Sequence, residues 1–142
     1  KSAGFYRNKT KNILAAAKTV KEKFSGKLPK TMAEMLTISG IGRKSANVIL
    51  GNAYGVVEGI AVDTHVRRLS QKLELTSHQD PEKIEKDLMS EIPKKEWFKF
   101  TYRLIDYGRK FCPARPHDHV HCPLASLEPR RSGAYKICHK MI

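Results

Sequence analysis

Two glycines flanking one apolar residue, Gly40-Ile41-Gly42, constrain this chain more than any other feature. An apolar helical pattern precedes them (Met32, Met35, Leu36) and another follows (Ala46, Val48, Ile49, Leu50). Glycine reaches positive φ at no steric cost, so two helices can reverse within a few residues. The pattern predicts helix, tight hairpin, helix, with Ile41 pointing inward to pin the hairpin. Such a turn presents unpaired backbone N–H groups at the start of the second helix, where the helix dipole favours a phosphate. Gly-x-Gly alone is a common turn. The signal sharpens because Lys44 stands just inside the second helix and Asp63 follows nineteen residues later, in Val62-Asp63-Thr64-His65.

The remaining elements read as helices. Asn8 or Thr10 could cap a first helix to about Phe24, with Ile13, Ala17, Val20 and Phe24 along one face. Ser25-Gly26 closes it. Thr31 with Glu34 fits a capping box before the short helix through Leu36. The helix after the hairpin runs from about Arg43 to Tyr54. Ile60-Ala61-Val62 is an apolar approach to Asp63, too short to insist on a strand. Asp63 or Thr64 caps the next helix, about His65 to Leu73. Asp80-Pro81 starts another, with Ile84, Leu88 and Ile92 inward. Glu96 to about Lys110 is an aromatic-rich helix. From Phe111 onward prolines and histidines concentrate. The expected organisation is all-α: a helical domain over 1–110, with the helix-hairpin-helix at about 31–54, and a loop-rich segment over 111–142.

The 142 residues suffice for one domain with a core. Twenty-seven Lys and Arg against 14 Asp and Glu give a formal charge of +13. That surplus favours a polyanionic partner through counterion release, although a basic protein with no nucleic-acid role has the same composition. Three cysteines cannot all pair and suggest a reducing compartment. There is no long apolar run and no secretory pattern, so a cytoplasmic, nucleoid-associated monomer without membrane contact is the expectation.

Gly40-Ile41-Gly42-Arg43-Lys44-Ser45-Ala46-Asn47-Val48, Asn52-Ala53-Tyr54-Gly55 and Val62-Asp63-Thr64-His65-Val66-Arg67-Arg68 fall in one order. In these blocks the chain resembles the helix-hairpin-helix DNA glycosylases, and most closely the endonuclease III family of bifunctional glycosylase and abasic-site lyases. The resemblance runs from about Gly4 to about Pro129. It implies the helix-hairpin-helix glycosylase fold, here lacking the family's N-terminal helices, and base-excision repair of oxidised pyrimidines in duplex DNA. Removal of an oxidised purine or a mismatched thymine is an alternative within the class. A non-catalytic DNA-binding module is the alternative outside it.

The resemblance implies that Lys44 and Asp63 are catalytic. A lysine amine forms Schiff bases once burial or neighbouring cations free it of its proton. Attack on deoxyribose C1′ displaces the base, and the resulting imine acidifies the neighbouring C–H for β-elimination. Asp63 would stabilise positive charge at C1′ and move protons. Adenine-removing relatives lack this lysine, so Lys44 favours the bifunctional class. Taken singly, Lys44 also reads as a surface lysine and Asp63 as a plain helix cap. Gly40, Ile41, Gly42, Arg43 and Ser45 would bind phosphate, mainly through backbone. His65, Arg67, Arg109, Lys110 and Arg115 would face the DNA, although Arg67 and Arg68 equally read as solvated helix charges. Ser39 stands where the family usually has proline, a loss of fixed φ with little expected effect.

The family usually carries an iron–sulfur cluster on Cys-x6-Cys-x2-Cys-x5-Cys. Laid from Cys112, that spacing meets His119, Cys122 and Glu128. A four-cysteine [4Fe–4S] cluster is therefore not expected, and no cofactor is required by the lysine chemistry. Loss of the cluster is the first reading. Zinc on Cys112, His119 and Cys122, or a cluster with mixed ligands, are the others.

Overall fold

The computed structural model describes residues 4–118 and 122–124. Every regular element among them is helical: α1 Tyr6–Lys23, α2 Met32–Met35, α3 Arg43–Tyr54, α4 Thr64–Lys72, α5 Pro81–Glu91 and α6 Trp97–Lys110, with a 3₁₀ turn at Lys94–Glu96. Among the described residues no helix is long and apolar enough to cross a membrane. The chain divides into two compact units, Lys1–Glu58 and Gly59–Ile142.

In the first unit the core is Met32, Met35, Ile38, Ala46 and Leu50, with Ala16, Val20, Phe24 and Ile41 packed against it. Ile41 thus turns toward the core as the sequence predicts. Helix α2 starts at Thr31, whose Oγ1 accepts from Glu34 N at 3.3 Å. The Glu34 carboxylate accepts in turn from the Thr31 hydroxyl at 2.7 Å, locking the cap side chain. Helix α3 closes on Gly55 in the left-handed region, where Val56 N reaches back to Leu50 O at 3.1 Å.

Helix α1 departs from expectation. It begins at Tyr6, after Phe5 in a left-handed conformation with no side-chain cap. The two expected caps, Asn8 and Thr10, both lie inside the helix, and the Thr10 hydroxyl donates to Tyr6 O at 2.9 Å. The face that packs is Ala16, Val20 and Phe24; Ile13 is 67% exposed and Ala17 is exposed too. A one-residue rotation of a four-three repeat accounts for the shift, since Ala16 and Ala17 are alike in sequence. The end is as expected, with Ser25 and Gly26 both at positive φ. Charge is concentrated here: residues 1–58 carry eleven Lys and Arg against three Glu.

In the second unit Ile60, Val62, Val66, Leu69, Ile84, Leu88, Leu104 and Cys112 form the core. Residues 60–62 are buried without being a strand. Their backbone is held by the buried Thr101 hydroxyl, which donates to Ala61 O at 3.1 Å. Asp80 Oδ1 caps α5 by accepting from Glu82 N and Lys83 N, with Pro81 in the first turn. Gly108, in the last turns of α6, is buried. A Cβ there would lie 2.9 Å from His65 Nδ1, 3.0 Å from Leu69 Cδ1 and 3.2 Å from Arg68 Nη2. Its missing side chain sets how closely α4 and α6 pack.

Candidate nucleic-acid interface and active site

The two hairpin glycines have different tasks. Gly40 sits at φ +80°, and a Cβ on it would meet Asn12 Cβ at 2.8 Å. Both the conformation and the contact with α1 demand glycine. Gly42 has φ −92° and ψ 173°, ordinary extended backbone, and a Cβ there would meet nothing within 4 Å. Among the described residues nothing requires glycine at 42. What the missing Cβ leaves is open space directly before α3.

That space lies at an uncapped helix end. Gly42 is the N-cap, no side chain caps α3, and its first turn holds no acid. The first-turn residues are instead Arg43, half-buried, Lys44, exposed, and Ser45, half-buried. A cation at a helix N-terminus is unfavourable, since the dipole there is already positive. An anion seated over Gly42 would relieve both, which is the arrangement that binds phosphate. The hairpin therefore gathers Gly40, Ile41, Gly42, Arg43, Lys44 and Ser45 into one place.

Asp63 stands in the second unit, at the N-cap of α4. Its Oδ1 accepts from Val66 N at 2.8 Å. Among the described residues Oδ2 has no hydrogen-bond or ion-pair partner, and the side chain is only half-buried. One oxygen is fixed and the other is available. Thr64, His65, Arg67, Arg68, Gln71 and Ala114 line an open cleft of about 380 Å³ beside it along α4. The His65 Nδ1 is buried and has no hydrogen-bond partner among the described residues. Arg67 is exposed, as a solvated charge would be. Arg68 is not: its Nη2 donates to Cys112 O at 2.7 Å. Arg109 and Lys110 are exposed in the last turn of α6, where cations suit the helix C-terminus. Arg115 is exposed, with its carbonyl 2.8 Å from His117 Nδ1.

Cys112 is completely buried and Cys122 is 9% exposed, both as free thiols. His119, the third expected ligand, lies outside the described residues. Among the described residues no three His, Cys, Asp or Glu side chains converge as a metal site. The donor chemistry does not fit a four-thiolate cluster. Each described cysteine sulfur has a protein partner: Arg68 Nη1 lies 3.8 Å from Cys112 Sγ, and the Tyr107 hydroxyl shares a 3.2 Å hydrogen bond with Cys122 Sγ in which either group can donate. His and Glu occupy the other two positions of the spacing.

Sequence reading gave no task to Gly108, Tyr107 or Asn12, and it read Arg68 as a solvated helix charge, which the hydrogen bond to Cys112 O corrects. A glycine inside a helical pattern was the available signal for Gly108. Nothing local marks the other three, whose partners lie far off in the chain.

An uncapped helix led by cations after a glycine hairpin is a helical feature suited to an anion such as a backbone phosphate, and in the other unit a carboxylate with one oxygen fixed caps a later helix. The family model of the HhH-GPD superfamily base excision DNA repair proteins matches residues 1–94, and the chain belongs to that superfamily. It is 48% identical over 128 residues to the endonuclease III of Synechocystis sp. (90% of this chain, 58% of the relative). It is 43% identical to that of Bacillus subtilis (89% and 58%). The chain thus spans about 58% of the length of these curated relatives. Among solved structures, a trapped endonuclease III–DNA covalent intermediate superposes with a TM-score of 0.80 at 41% identity, covering 87% of this chain and 58% of the other. A non-covalent endonuclease III–DNA complex gives 0.78 at 41% identity, covering 85% and 56%.

Proposed function

We propose that this chain carries the catalytic residues of a bifunctional DNA glycosylase and abasic-site lyase acting on oxidised pyrimidines in duplex DNA. The observation that carries this reading is the hairpin: a glycine without internal cause at 42, an uncapped α3, and an exposed lysine in its first turn. Similarity to endonuclease III supports it, including to a form trapped covalently on DNA.

In this mechanism the N–H groups around Gly42 hold a backbone phosphate, which positions the strand. Lys44 Nζ bonds to C1′ while the bond from C1′ to the base breaks, and the base leaves with that electron pair and a proton given up by the attacking amine. Asp63 Oδ2, the free oxygen, stabilises the positive charge that develops at C1′. The sugar ring opens to an imine between Lys44 and C1′. Loss of a C2′ proton then expels the 3′ phosphate by β-elimination, and water releases Lys44. The role of Asp63 as a helix cap fixes its carboxylate without consuming both oxygens.

The test is borohydride trapping on a duplex with one abasic site. Reduction of the imine welds protein to DNA, so an adduct with the parent and none with Lys44→Ala is the expected result. No adduct from a chain that folds and binds the duplex favours a non-catalytic binding module instead.

A further inference from the structure

We propose that Arg68 is a positioning residue: it pins residues 112–118 against α4, doing by hydrogen bonds what a metal cluster would do, and so completes the cationic cleft beside Arg67. The DNA-binding half of this statement rests on the function proposed above; the pin itself does not.

The guanidinium crosses from α4 to the residue where α6 ends and the loop begins. Its Nη2 donates to Cys112 O at 2.7 Å and its Nη1 approaches Cys112 Sγ at 3.8 Å. Cys112 is completely buried, and its N–H donates to Tyr107 O at 3.1 Å. Both backbone groups of this residue are thereby satisfied inside the protein, as a buried peptide requires. Gly108 leaves room for the crossing, because a Cβ there would stand 3.2 Å from Arg68 Nη2 and the guanidinium would have to give way slightly. Tyr107 ties the second thiol, with its hydroxyl 3.2 Å from Cys122 Sγ. Two residues beyond Cys112, Ala114 supplies the loop's part of the wall of the cleft that Thr64, Arg67 and Gln71 also line. Release of Cys112 would release that wall and the exposed Arg115 next to it. An arginine suits the task because its planar fork is always charged and reaches two acceptors at once, which a lysine ammonium does not reproduce.

The test compares the parent with Arg68→Lys, Arg68→Gln and Arg67→Gln as full chains. Hydrogen exchange of residues 112–118 and metal and labile-sulfide content are read without DNA, and affinity for an abasic-site duplex is read against salt. We expect sub-stoichiometric iron, labile sulfide and zinc in the parent. Both Arg68 variants should exchange the 112–118 amides roughly tenfold faster with α5 unchanged, the scale of a lost charged hydrogen bond. Both should also bind duplex roughly tenfold more weakly with an unchanged salt slope, whereas Arg67→Gln lowers the slope by about one. Arg68→Lys binding like the parent, or Arg68→Gln lowering the slope, would make Arg68 a phosphate contact and overturn the pin. Stoichiometric iron with labile sulfide, or stoichiometric zinc, lost in Cys112→Ser would overturn it as well. Where the parent binds no duplex, the functional reading falls, and the exchange data still decide the pin.

Discussion

Single residues at the hairpin separate folding from binding. Gly40→Ala forces a side chain into left-handed backbone and against Asn12, whose Cβ cannot swing away. It should cost about 1–3 kcal/mol, measured by urea unfolding. Gly42→Ala introduces a methyl into open space at an unstrained φ, so its stability should change by less than about 0.5 kcal/mol. Its affinity for duplex DNA should fall nonetheless, because the methyl stands where the phosphate must approach. If Gly42→Ala binds as tightly as the parent, the phosphate does not sit there. Asp63 invites a similar separation. Asp63→Asn keeps an N-cap acceptor for Val66 N and should melt near the parent temperature, while trapping on an abasic duplex falls sharply. Asp80→Ala, a cap away from the proposed site, should lose about 1 kcal/mol and retain full trapping.

Elements show what a linear reading can and cannot reach. The starts of α2 and α5 were legible because Thr31, Asp80 and Pro81 act within three residues of themselves. The hairpin, α3 and the capping role of Asp63 were legible for the same reason. The start of α1 was not, since Phe5 enters it in a left-handed conformation that no side chain announces. The contact between α4 and α6 was equally hidden. It depends on Gly108 meeting His65, Leu69 and Arg68, forty residues away in sequence, and periodicity carries no such pairing. Gly108→Ala tests that contact. The added methyl would press on three side chains, and a loss of about 1–3 kcal/mol should accompany faster exchange in both helices. A neutral result would mean that α4 and α6 can part without consequence.

For the molecule as a whole, charge governs association. A formal +13 predicts that log affinity for duplex falls linearly with log salt, and each phosphate contact removed should lower the slope by about one. The uneven spread of that charge, eleven cations to three anions in residues 1–58, bears on speed as well as strength. Under the proposed function undamaged DNA vastly outnumbers lesions, and a surface this cationic would hold any stretch of it. Weak salt would then leave the protein lingering on intact DNA and on the product of the proposed cleavage. Strong salt would let it fall off before it had scanned far. Multiple-turnover rate should therefore peak at an intermediate ionic strength, with single-turnover rate on preformed complexes nearly flat across the same range.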